Sequence, residues 1–356
     1  MISPATSPIR ASVAGGRQVL RPLKRKGITM KNDVSKTTPF ATRRQALGLG
    51  AGTLAALALA ACSPDDANSG SSSNSSADAT ATAIDASAYD SLIAAGEVAD
   101  EATVQASSWA KAIKDAGSFR VGTTRTSTLF SLLNETDGKL RGFDAGLSQL
   151  LARYILGDES KIEVTQVTSD TRESVLINGQ VDAVFATYSI TDARKKLISF
   201  AGPYYTSQQG ILVKVENTDI NGVDDLKGKN VAAQSGSTGP SVVAEFAPEA
   251  KVQEFSTDEE ARTALEQGRV DAYVIDVTLH YGSIAKNPGK YRIAGDPFGP
   301  DDPYGIGLPL GSDGVAFVNA FLKKVEDEGT WGKLWQIAIG DRTGVASAPE
   351  PPAIQA

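Results

Sequence analysis

Two segments of the chain, "LINGQVDAV" (residues 176–184) and "LEQGRVDAY" (residues 265–273), follow one pattern. Both carry Leu, Gly, Val, Asp and Ala at matching positions, 89 residues apart. A glycine after an apolar helical stretch is typical of a helix end, because glycine readily adopts the left-handed conformation found there. The apolar run that contains the aspartate is typical of a buried strand. The repeated helix–glycine–strand unit therefore predicts two similar lobes.

Short apolar strands and amphipathic helices alternate around these segments. "FRVGT" (119–123) and "KIEVTQV" (161–167) have the composition of strands, while "FDAGLSQLLARYIL" (143–156) has apolar residues at helical spacing. This alternation predicts an α/β fold with mainly parallel sheets and helices on both faces. Ligands of such folds bind at the carboxyl ends of the strands, so we expect a site where the two lobes face each other.

The composition argues against several classes of protein. The net charge is −7, and residues 1–61 hold ten Lys or Arg and one Asp, which leaves −16 for the rest of the chain. An acidic chain argues against nucleic acid as a partner. One cysteine allows no disulfide framework, and one histidine beside it leaves no Cys/His zinc site. We therefore expect neither a metal nor another cofactor.

The single cysteine, Cys62, follows an uncharged run of Ala, Leu, Gly and one Thr over residues 46–61. Lys and Arg residues precede this run, as in a secretory signal peptide. "LAAC" (59–62) resembles the bacterial lipobox, whose cysteine receives a diacylglycerol. The sequence thus predicts a signal peptide over residues 1–61 and a lipid anchor at Cys62, on the outer face of the cytoplasmic membrane. "TRRQAL" fits either a twin-arginine signal or ordinary charge, and Met30 is a more natural start than Met1.

The segments that flank the folded part are polar and of low complexity. Residues 62–117 are rich in Ser, Ala, Asp and Thr at first, and we expect a flexible linker there, partly helical between Tyr89 and Lys114. Residues 343–356 include "SAPEPPAIQA", which predicts a disordered tail.

Two polar clusters follow predicted strands. "GSTG" (236–239) follows the strand "NVAAQ" and opens a helix, so its hydroxyls and free N–H groups suit a carboxylate. Arg194 lies in "ATYSITDARKK", where Thr191 can cap its helix, and a guanidinium can clamp a carboxylate with two parallel hydrogen bonds. From the residues alone, an ordinary turn and a solvated helix charge remain alternatives.

Several ordered motifs between Phe119 and Gly340 resemble the polar amino-acid-binding proteins of ABC importers, above all the glutamate/aspartate binders. They include "GFDAGLSQLLARYI", "VTSDTRESVLINGQVDAVFATYSITDARKKLISFAGPYY", "DDLKGKNVAAQSGST" and "PYGIGLP". The resemblance implies a two-lobed type II periplasmic-binding-protein-like fold with the ligand cleft between the lobes. Lobe 1 would comprise residues 118–208 and 304–342, and lobe 2 residues 209–303. "GILVK" and "PYGIGLP" would be the strands that cross between them.

The resemblance also implies a set of ligand-binding residues. Arg194 matches the arginine that grips the α-carboxylate, and Asp276 matches the acid that pairs with the α-ammonium. Arg172 and Arg125 match arginines aimed at a side-chain carboxylate, although an alignment shifted by one residue would place Thr124 at the position of Arg125. The remaining matches, which lie beside the α-carboxylate, are Thr187, Ser189, Ser237 and Thr238.

The expected function is therefore that of an extracytoplasmic solute-binding lipoprotein, a monomer without enzymatic activity. It would bind glutamate or aspartate by cleft closure and deliver it to the ABC permease. Three arginines against Asp276 would complement the two carboxylates and one ammonium of glutamate. The alternatives are a binder of glutamine or another polar amino acid, a dehydratase-type enzyme on the same fold, and a sensor ectodomain.

Overall fold

The computed structural model describes residues 83–355, in which twelve strands and eleven α-helices are found. The strands are β1 (Phe119–Thr123), β2 (Thr126–Ser127), β3 (Ser131–Leu133), β4 (Leu140–Arg141), β5 (Ile162–Gln166), β6 (Ala183–Phe185), β7 (Ser199–Lys214), β8 (Asn230–Gln234), β9 (Lys251–Phe255), β10 (Ala272–Asp276), β11 (Tyr291–Ile293) and β12 (Phe298–Leu308). The helices are α1 (Ala86–Ala94), α2 (Glu101–Gln105), α3 (Ser108–Ala116), α4 (Phe143–Leu156), α5 (Arg172–Ile177), α6 (Gly239–Phe246), α7 (Asp258–Glu266), α8 (Val277–Lys286), α9 (Gly314–Asp327), α10 (Thr330–Trp335) and α11 (Asp341–Thr343). Two 3-10 turns (Arg194–Lys196 and Val223–Leu226) and a π-helical turn (Gln336–Gly340) complete the list.

The main sheet joins two parallel groups of strands through two long antiparallel ones. Its strand order is β5-β1-β6-β12-β7-β10-β8-β9, and β11 pairs with β7. β1 pairs in parallel with β5 and β6, and β8 pairs in parallel with β9 and β10. The strands β2, β3 and β4 form a separate small sheet. This is the two-lobed α/β architecture that the sequence predicts.

The long strands β7 and β12 cross from one lobe to the other. β7 pairs with β12 from Ser199 to Gln209, and with β10 from Gln209 to Leu212. Gln209 therefore marks the change of partner, one residue after the predicted end of the first part of lobe 1. The segments "GILVK" and "PYGIGLP" lie in β7 and β12, as expected for crossing strands.

Each half of the sheet is covered by apolar side chains on both faces. Successive residues of a strand point to opposite faces. In lobe 2, Val274 packs in one buried cluster and its neighbour Tyr273 in another. In lobe 1, Phe185 and its neighbour Val184 likewise belong to two different buried clusters. The helices therefore cover both faces of each half-sheet, as the alternating sequence indicates.

The repeated unit of the sequence has equivalent geometry in the two lobes. Gly179 and Gly268 both adopt left-handed conformations, with φ of 65° and 69°. The carboxylate of Asp182 accepts the backbone N–H of Arg120 on β1 at 2.9 Å. Asp271 accepts the N–H of Asn230 on β8 at 2.8 Å in the same way. Each aspartate thus joins the start of its own strand to the neighbouring parallel strand, which explains why the pattern recurs.

The partial helix expected between Tyr89 and Lys114 is confirmed, but the prediction that residues 62–117 form a flexible linker is wrong from residue 86 onward. Three helices, α1, α2 and α3, form there and pack on lobe 1. Side-chain oxygens cap their N-termini: Asp85 accepts the N–H of Ala88 at 2.9 Å, Asp100 that of Thr103 at 2.7 Å, and Ser107 that of Ala110 at 3.2 Å.

A few large apolar residues hold this N-terminal segment in place. They are spaced among many Ala, Ser and Asp residues, so the average composition hides them. Trp109 packs edge-on against Phe119 of β1, with ring centroids 5.9 Å apart, and its indole N–H donates to the carbonyl of Asp182 at 3.1 Å. The buried residues of the segment that belong to the core of lobe 1 are Tyr89, Ile93, Val104, Trp109, Ala110 and Ile113.

The C-terminal tail is also ordered where a disordered tail over residues 343–356 was expected. Ala348 and Ile354 pack against the core of lobe 1. The backbone N–H of Gln355 donates to the carbonyl of Gly202 at 3.0 Å, and the side-chain amide of Asn319 donates to the carbonyl of Gln355 at 3.0 Å. A proline-rich segment has few backbone N–H donors, but its carbonyl groups can still accept hydrogen bonds when the chain is extended.

Cys62 and the predicted signal peptide lie outside the described residues. Within residues 83–355, no helix is long and apolar enough to cross a membrane.

The packed N-terminal segment has a measurable energetic consequence. Ile113 is 3% exposed in α3, whereas Val98 of the same segment is 44% exposed. We expect Ile113→Ala to lower the free energy of unfolding by about 2–5 kcal/mol, because it leaves a cavity in the core. Val98→Ala should cost less than about 1 kcal/mol. Urea denaturation of both variants checks this, and equal small losses would mean that the segment is not part of the folded core.

Candidate ligand-binding cleft

Two cavities lie between the lobes. One measures 690 Å³ and is lined by Arg194 of lobe 1 and by Ser237 and Thr238 of lobe 2; we call it the Arg194 cavity. The other measures 260 Å³ and is lined by Thr187 of lobe 1 and Thr278 of lobe 2, among others; we call it the Thr187 cavity. The crossing strands therefore border a divided cleft at the carboxyl ends of the strands, where the fold class predicts a ligand site.

Arg194 reaches across the cleft from lobe 1. The hydroxyl of Thr191 accepts its backbone N–H at 3.3 Å, as predicted, and the side chain is almost completely buried. One terminal nitrogen donates to the carbonyl of Ser189 at 2.9 Å, and the other donates to the carbonyl of Gly236 in lobe 2 at 2.8 Å. Its Nε lies 3.3 Å from a carboxylate oxygen of Glu173. The guanidinium is thus held in one orientation, with one terminal nitrogen on lobe 1 and the other on lobe 2.

Thr187 follows β6 in a left-handed conformation with φ of 42°. This conformation is strained for a β-branched residue, and such strain is concentrated at binding sites. The carboxylate of Asp144, at the start of α4, accepts the N–H of Thr187 at 2.8 Å and the hydroxyl of Tyr204 at 2.7 Å. Burial raises the pKa of Asp144 to about 7. These contacts compensate for the strain and fix the turn that borders the cleft.

Arg172 lies behind this turn and lines neither cleft cavity. It is 2% exposed, donates to the carbonyl of Ala186 at 2.9 Å, and stacks over the ring of Tyr188 at 4.1 Å. Burial, together with the positive charge of Arg194, lowers its pKa to about 10. In this geometry the contacts of Arg172 support the turn, and its expected contact with a side-chain carboxylate of the ligand stays a prediction.

Arg125 lines a different cavity on lobe 1, whereas Thr124 lines the Thr187 cavity. Both residues lie in the irregular segment between β1 and β2, so a shift of one residue decides which of them lines the cleft. Arg125 thus lies away from the cleft cavities, whereas Thr124, the alternative that a one-residue shift gives, lines one of them.

Ser237 and Thr238 lie between β8 and α6, in the loop that the sequence predicts. The hydroxyl of Ser237 donates to the carbonyl of Gln234 at 2.6 Å and accepts the N–H of Gly239 at 3.1 Å. The hydroxyl of Thr238 donates to the carboxylate of Asp302 at 2.8 Å. Both residues line the Arg194 cavity, so the predicted contacts of the two lobes with a carboxylate do face each other.

The lobes touch directly at this loop. The hydroxyl of Ser235 donates to the carboxylate of Asp170 at 3.0 Å across the cleft. Gly236 has φ of 68°, and a Cβ atom there would lie only 2.8 Å from the backbone nitrogen of Asp170. Glycine is therefore required both by its conformation and by the close approach of the other lobe.

Asp276 ends β10 and is buried; it lines neither cavity, but its hydrogen-bond partners connect the two. Its carboxylate accepts the side-chain amide of Gln209 on β7 at 2.5 Å and the hydroxyl of Tyr304 on β12 at 2.8 Å. The hydroxyls of Tyr304 and Thr278 are 3.4 Å apart. Because Gln209 lines the Arg194 cavity and Thr278 lines the Thr187 cavity, this hydrogen-bonded chain connects the two. The carboxylate makes no capping bond to α8.

A second buried carboxyl group, that of Asp302, lies beside Asp276. Asp302 is 6% exposed and lines the Arg194 cavity. Burial and the neighbouring Asp302 raise the pKa of Asp276 well above its usual value. The sequence analysis did not identify Asp302 as a site residue. Its position just before "PYGIGLP", on a strand expected to cross between the lobes, could have indicated that it lies at the cleft.

The two cavities differ in their charged lining residues. The cation of the Arg194 cavity is Arg194 itself, against the lining acids Glu173, Asp192, Glu245, Asp301 and Asp302. The lining residues of the Thr187 cavity include neither Lys nor Arg. Their polar members are the hydroxyls of ten Ser and Thr residues, the amides of Gln166 and Gln234, and the carboxylates of Asp258 and Glu259.

Known proteins resemble the chain over its two-lobed part. The ABC transporter glutamine-binding protein GlnH of Bacillus subtilis is 40% identical over 227 residues, which cover 63% of this chain and 82% of GlnH. The glutamate-binding protein GluB of Corynebacterium glutamicum is 32% identical over 246 residues, covering 66% of this chain and 83% of GluB.

Solved structures agree with the fold. The crystal structure of the solute receptor for L-cysteine of Neisseria gonorrhoeae matches with a TM-score of 0.65 and 25% identity, covering 68% of this chain and 99% of that one. The family model described as bacterial extracellular solute-binding proteins, family 3, matches residues 119–340. Since this match spans β1 to the last turns of the folded part, the chain belongs to family 3 of the bacterial extracellular solute-binding proteins.

Proposed function

We propose that the chain binds a neutral polar amino acid, glutamine above all, and presents it to the permease of an ABC importer. The observation that carries this proposal is the chemistry of the Thr187 cavity, whose lining offers hydroxyl, amide and carboxylate groups but neither Lys nor Arg. Arg125, one of the residues behind the expectation of glutamate or aspartate, lines neither cleft cavity.

The α-carboxylate of the ligand would bind on the Arg194 side of the cleft. The guanidinium of Arg194 supplies a planar fork that matches a carboxylate, and the hydroxyls of Ser237 and Thr238 line the same cavity. The α-ammonium would pair with Asp276, the buried carboxylate whose hydrogen-bond partners connect the two cavities. Arg194 and Asp276 thus provide opposite charges for the two charged groups that every amino acid carries.

The ligand side chain would occupy the Thr187 cavity. A carboxylate there would meet the lining carboxylates of Asp258 and Glu259, whose like charge disfavours it. An amide has both donors and acceptors, so hydroxyl groups such as those of Thr124 and Thr278 can pair with either end of it. GlnH, named as a glutamine-binding protein, supports this choice.

Glutamate is the second candidate because of GluB, which is named as a glutamate-binding protein. For glutamate, a cation would have to enter the Thr187 cavity. Arg262 is near, but its guanidinium already pairs with Asp258. Glutamine therefore fits the charges of the cleft better.

Ligand exchange would require the lobes to separate. The contacts Arg194–Gly236 and Ser235–Asp170 join the lobes directly, so they would break on opening. The strands β7 and β12 connect the lobes and would absorb the motion, as connecting segments do in hinged binding proteins. The closed form would be the one that the permease recognises. We expect the protein to act as a monomer.

The predicted signal peptide and Cys62 would hold the protein outside the cell. A diacylglycerol on Cys62, with residues 63–85 between it and α1, would keep the cleft near its permease and raise the effective concentration of loaded protein there.

Ligand identity is testable by calorimetric titration with all twenty amino acids, after carried-over ligand has been removed by unfolding and refolding. We expect glutamine to bind at least about tenfold more tightly than glutamate, because a buried carboxylate next to Asp258 and Glu259 is disfavoured. Arg194→Gln should weaken glutamine binding by roughly 100-fold or more, through loss of a charge-assisted pair. Its exposed neighbour Lys195 provides the control, since Lys195→Gln should change little. Tighter binding of glutamate would reject the proposed ligand but keep the site.

The pH dependence of binding tests the role of Asp276. Its pKa is raised in the empty cleft, and a bound ammonium would lower it, so binding at a pH below the raised pKa releases a proton. Affinity should be full above the raised pKa and fall by about tenfold per pH unit below it. Calorimetry in buffers of different ionisation enthalpy measures the released proton.

Asp276→Asn is the matched variant for this experiment. It should bind glutamine more weakly and release no proton. An unchanged proton release in Asp276→Asn would assign the titration to another group and remove Asp276 from the proposed ammonium site.

The lipid anchor is tested by labelling cells with radioactive palmitate. We expect the label on the wild-type protein and on Ser63→Ala, and its loss in Cys62→Ser, because the thiol is the acceptor. The Cys62→Ser protein should also move from the membrane fraction to the medium or periplasm. Equal labelling of Cys62→Ser and wild type would exclude this anchor.

A further inference from the structure

A third cavity, of 540 Å³, lies in lobe 1 and shares no lining residue with the two cleft cavities. Its walls come from α1, α4, β5, the end of β1 and the small sheet of β3 and β4. The volume falls within the range of small-molecule sites. We call it the lobe 1 cavity, and we propose that it is a second ligand site, which binds a small organic acid with an aliphatic body.

Arg125 is the group that would bind the carboxylate. It lines the lobe 1 cavity, and its Nε is buried without a hydrogen-bond partner in the described part of the chain. Its one side-chain hydrogen bond, from Nη2 to the carbonyl of Val164, is long at 3.4 Å. A buried donor left unpaired is unfavourable, and a guanidinium fork pairs best with a carboxylate.

The other charged groups of the wall are already paired. Asp90 accepts two hydrogen bonds from Arg141, at 2.8 and 2.9 Å, and one from Lys139 at 2.9 Å. Glu159 pairs with Arg153 at 3.0 Å. Arg125 has no ion pair among residues 83–355. The charge of the cavity wall that is left without an ion pair is therefore the positive charge of Arg125, so the cavity favours an anionic ligand.

The rest of the wall has an aliphatic part and an uncharged polar part. The polar part consists of Thr123, Ser148, Gln149 and Ser160. The aliphatic part consists of Ile93, Leu133, Leu140, Ile162 and Val164, and it would bury a short hydrocarbon chain. A small organic acid would place its carboxylate at Arg125 and its hydrocarbon chain against these aliphatic side chains.

The lobe 1 cavity depends on a part of the chain outside the family match. Ile93 and Asp90 belong to α1, whereas the family model begins at residue 119. The site therefore goes beyond the amino-acid cleft and does not rest on the proposed function.

The experiment is a calorimetric titration of the full-length protein with hexanoate and, separately, with hexanol. We expect saturable binding of hexanoate, and at least about tenfold weaker binding of hexanol, because only hexanoate has a carboxylate for Arg125. Saturating glutamine should leave the hexanoate affinity unchanged, since the two cavities are separate. Equal binding of hexanol, competition by glutamine, or no hexanoate binding would each overturn the proposal.

Two variants assign the contact. Arg125→Gln should weaken hexanoate binding at least about tenfold, whereas Lys139→Gln, which removes the other lining cation, should weaken it less than about threefold. Glutamine binding by Arg125→Gln should match wild type, which also shows that the variant is folded. Equal losses in the two variants would mean a diffuse charge effect and would reject the assigned site.

Discussion

The buried carboxyl group of Asp276 is the constraint around which the cleft is organised. A carboxyl group taken out of water needs hydrogen-bond partners, and here each comes from a different strand. Gln209 of β7 and Tyr304 of β12 both donate to Asp276 at the end of β10. The polar centre of the cleft is thus placed where the two lobes meet, and both crossing strands are tied to it.

The central parts of the fold and of the site were predictable because they depend on local patterns. The repeated Leu-Gly-Val-Asp-Ala unit identified the two lobes, since helix ends and buried strands have short, specific signatures. Arg194 lies in the segment that follows β6, and Asp276 is the last residue of β10; the carboxyl ends of strands in such sheets border the ligand site. Their placement near the cleft therefore followed from topology, without knowledge of any side-chain contact.

The features that the sequence did not predict have a different cause. They depend on the register of irregular segments or on a few isolated side-chain contacts. Whether Thr124 or Arg125 faces the cleft is decided by one residue in an irregular segment between β1 and β2, and no periodic pattern fixes it. Asp302 lies in β12 near a shift of register, so its inward direction could not be read from alternation. The helices α1 to α3 depend on a few large side chains such as Trp109, which an average over an Ala- and Ser-rich segment conceals.

The two lobes differ in their connection to the ends of the described chain. Helices α1 to α3 pack on lobe 1, and the tail returns to it through the bond between Gln355 and Gly202. Lobe 2 is an insertion, and its covalent connection to lobe 1 within the described chain runs through the two crossings. A mechanical load applied between residues 83 and 355 would therefore be carried by lobe 1, and lobe 2 would remain outside the load path. Lobe 1 therefore keeps its position relative to both ends of the described chain. Lobe 2 can rotate about the crossings without moving either end.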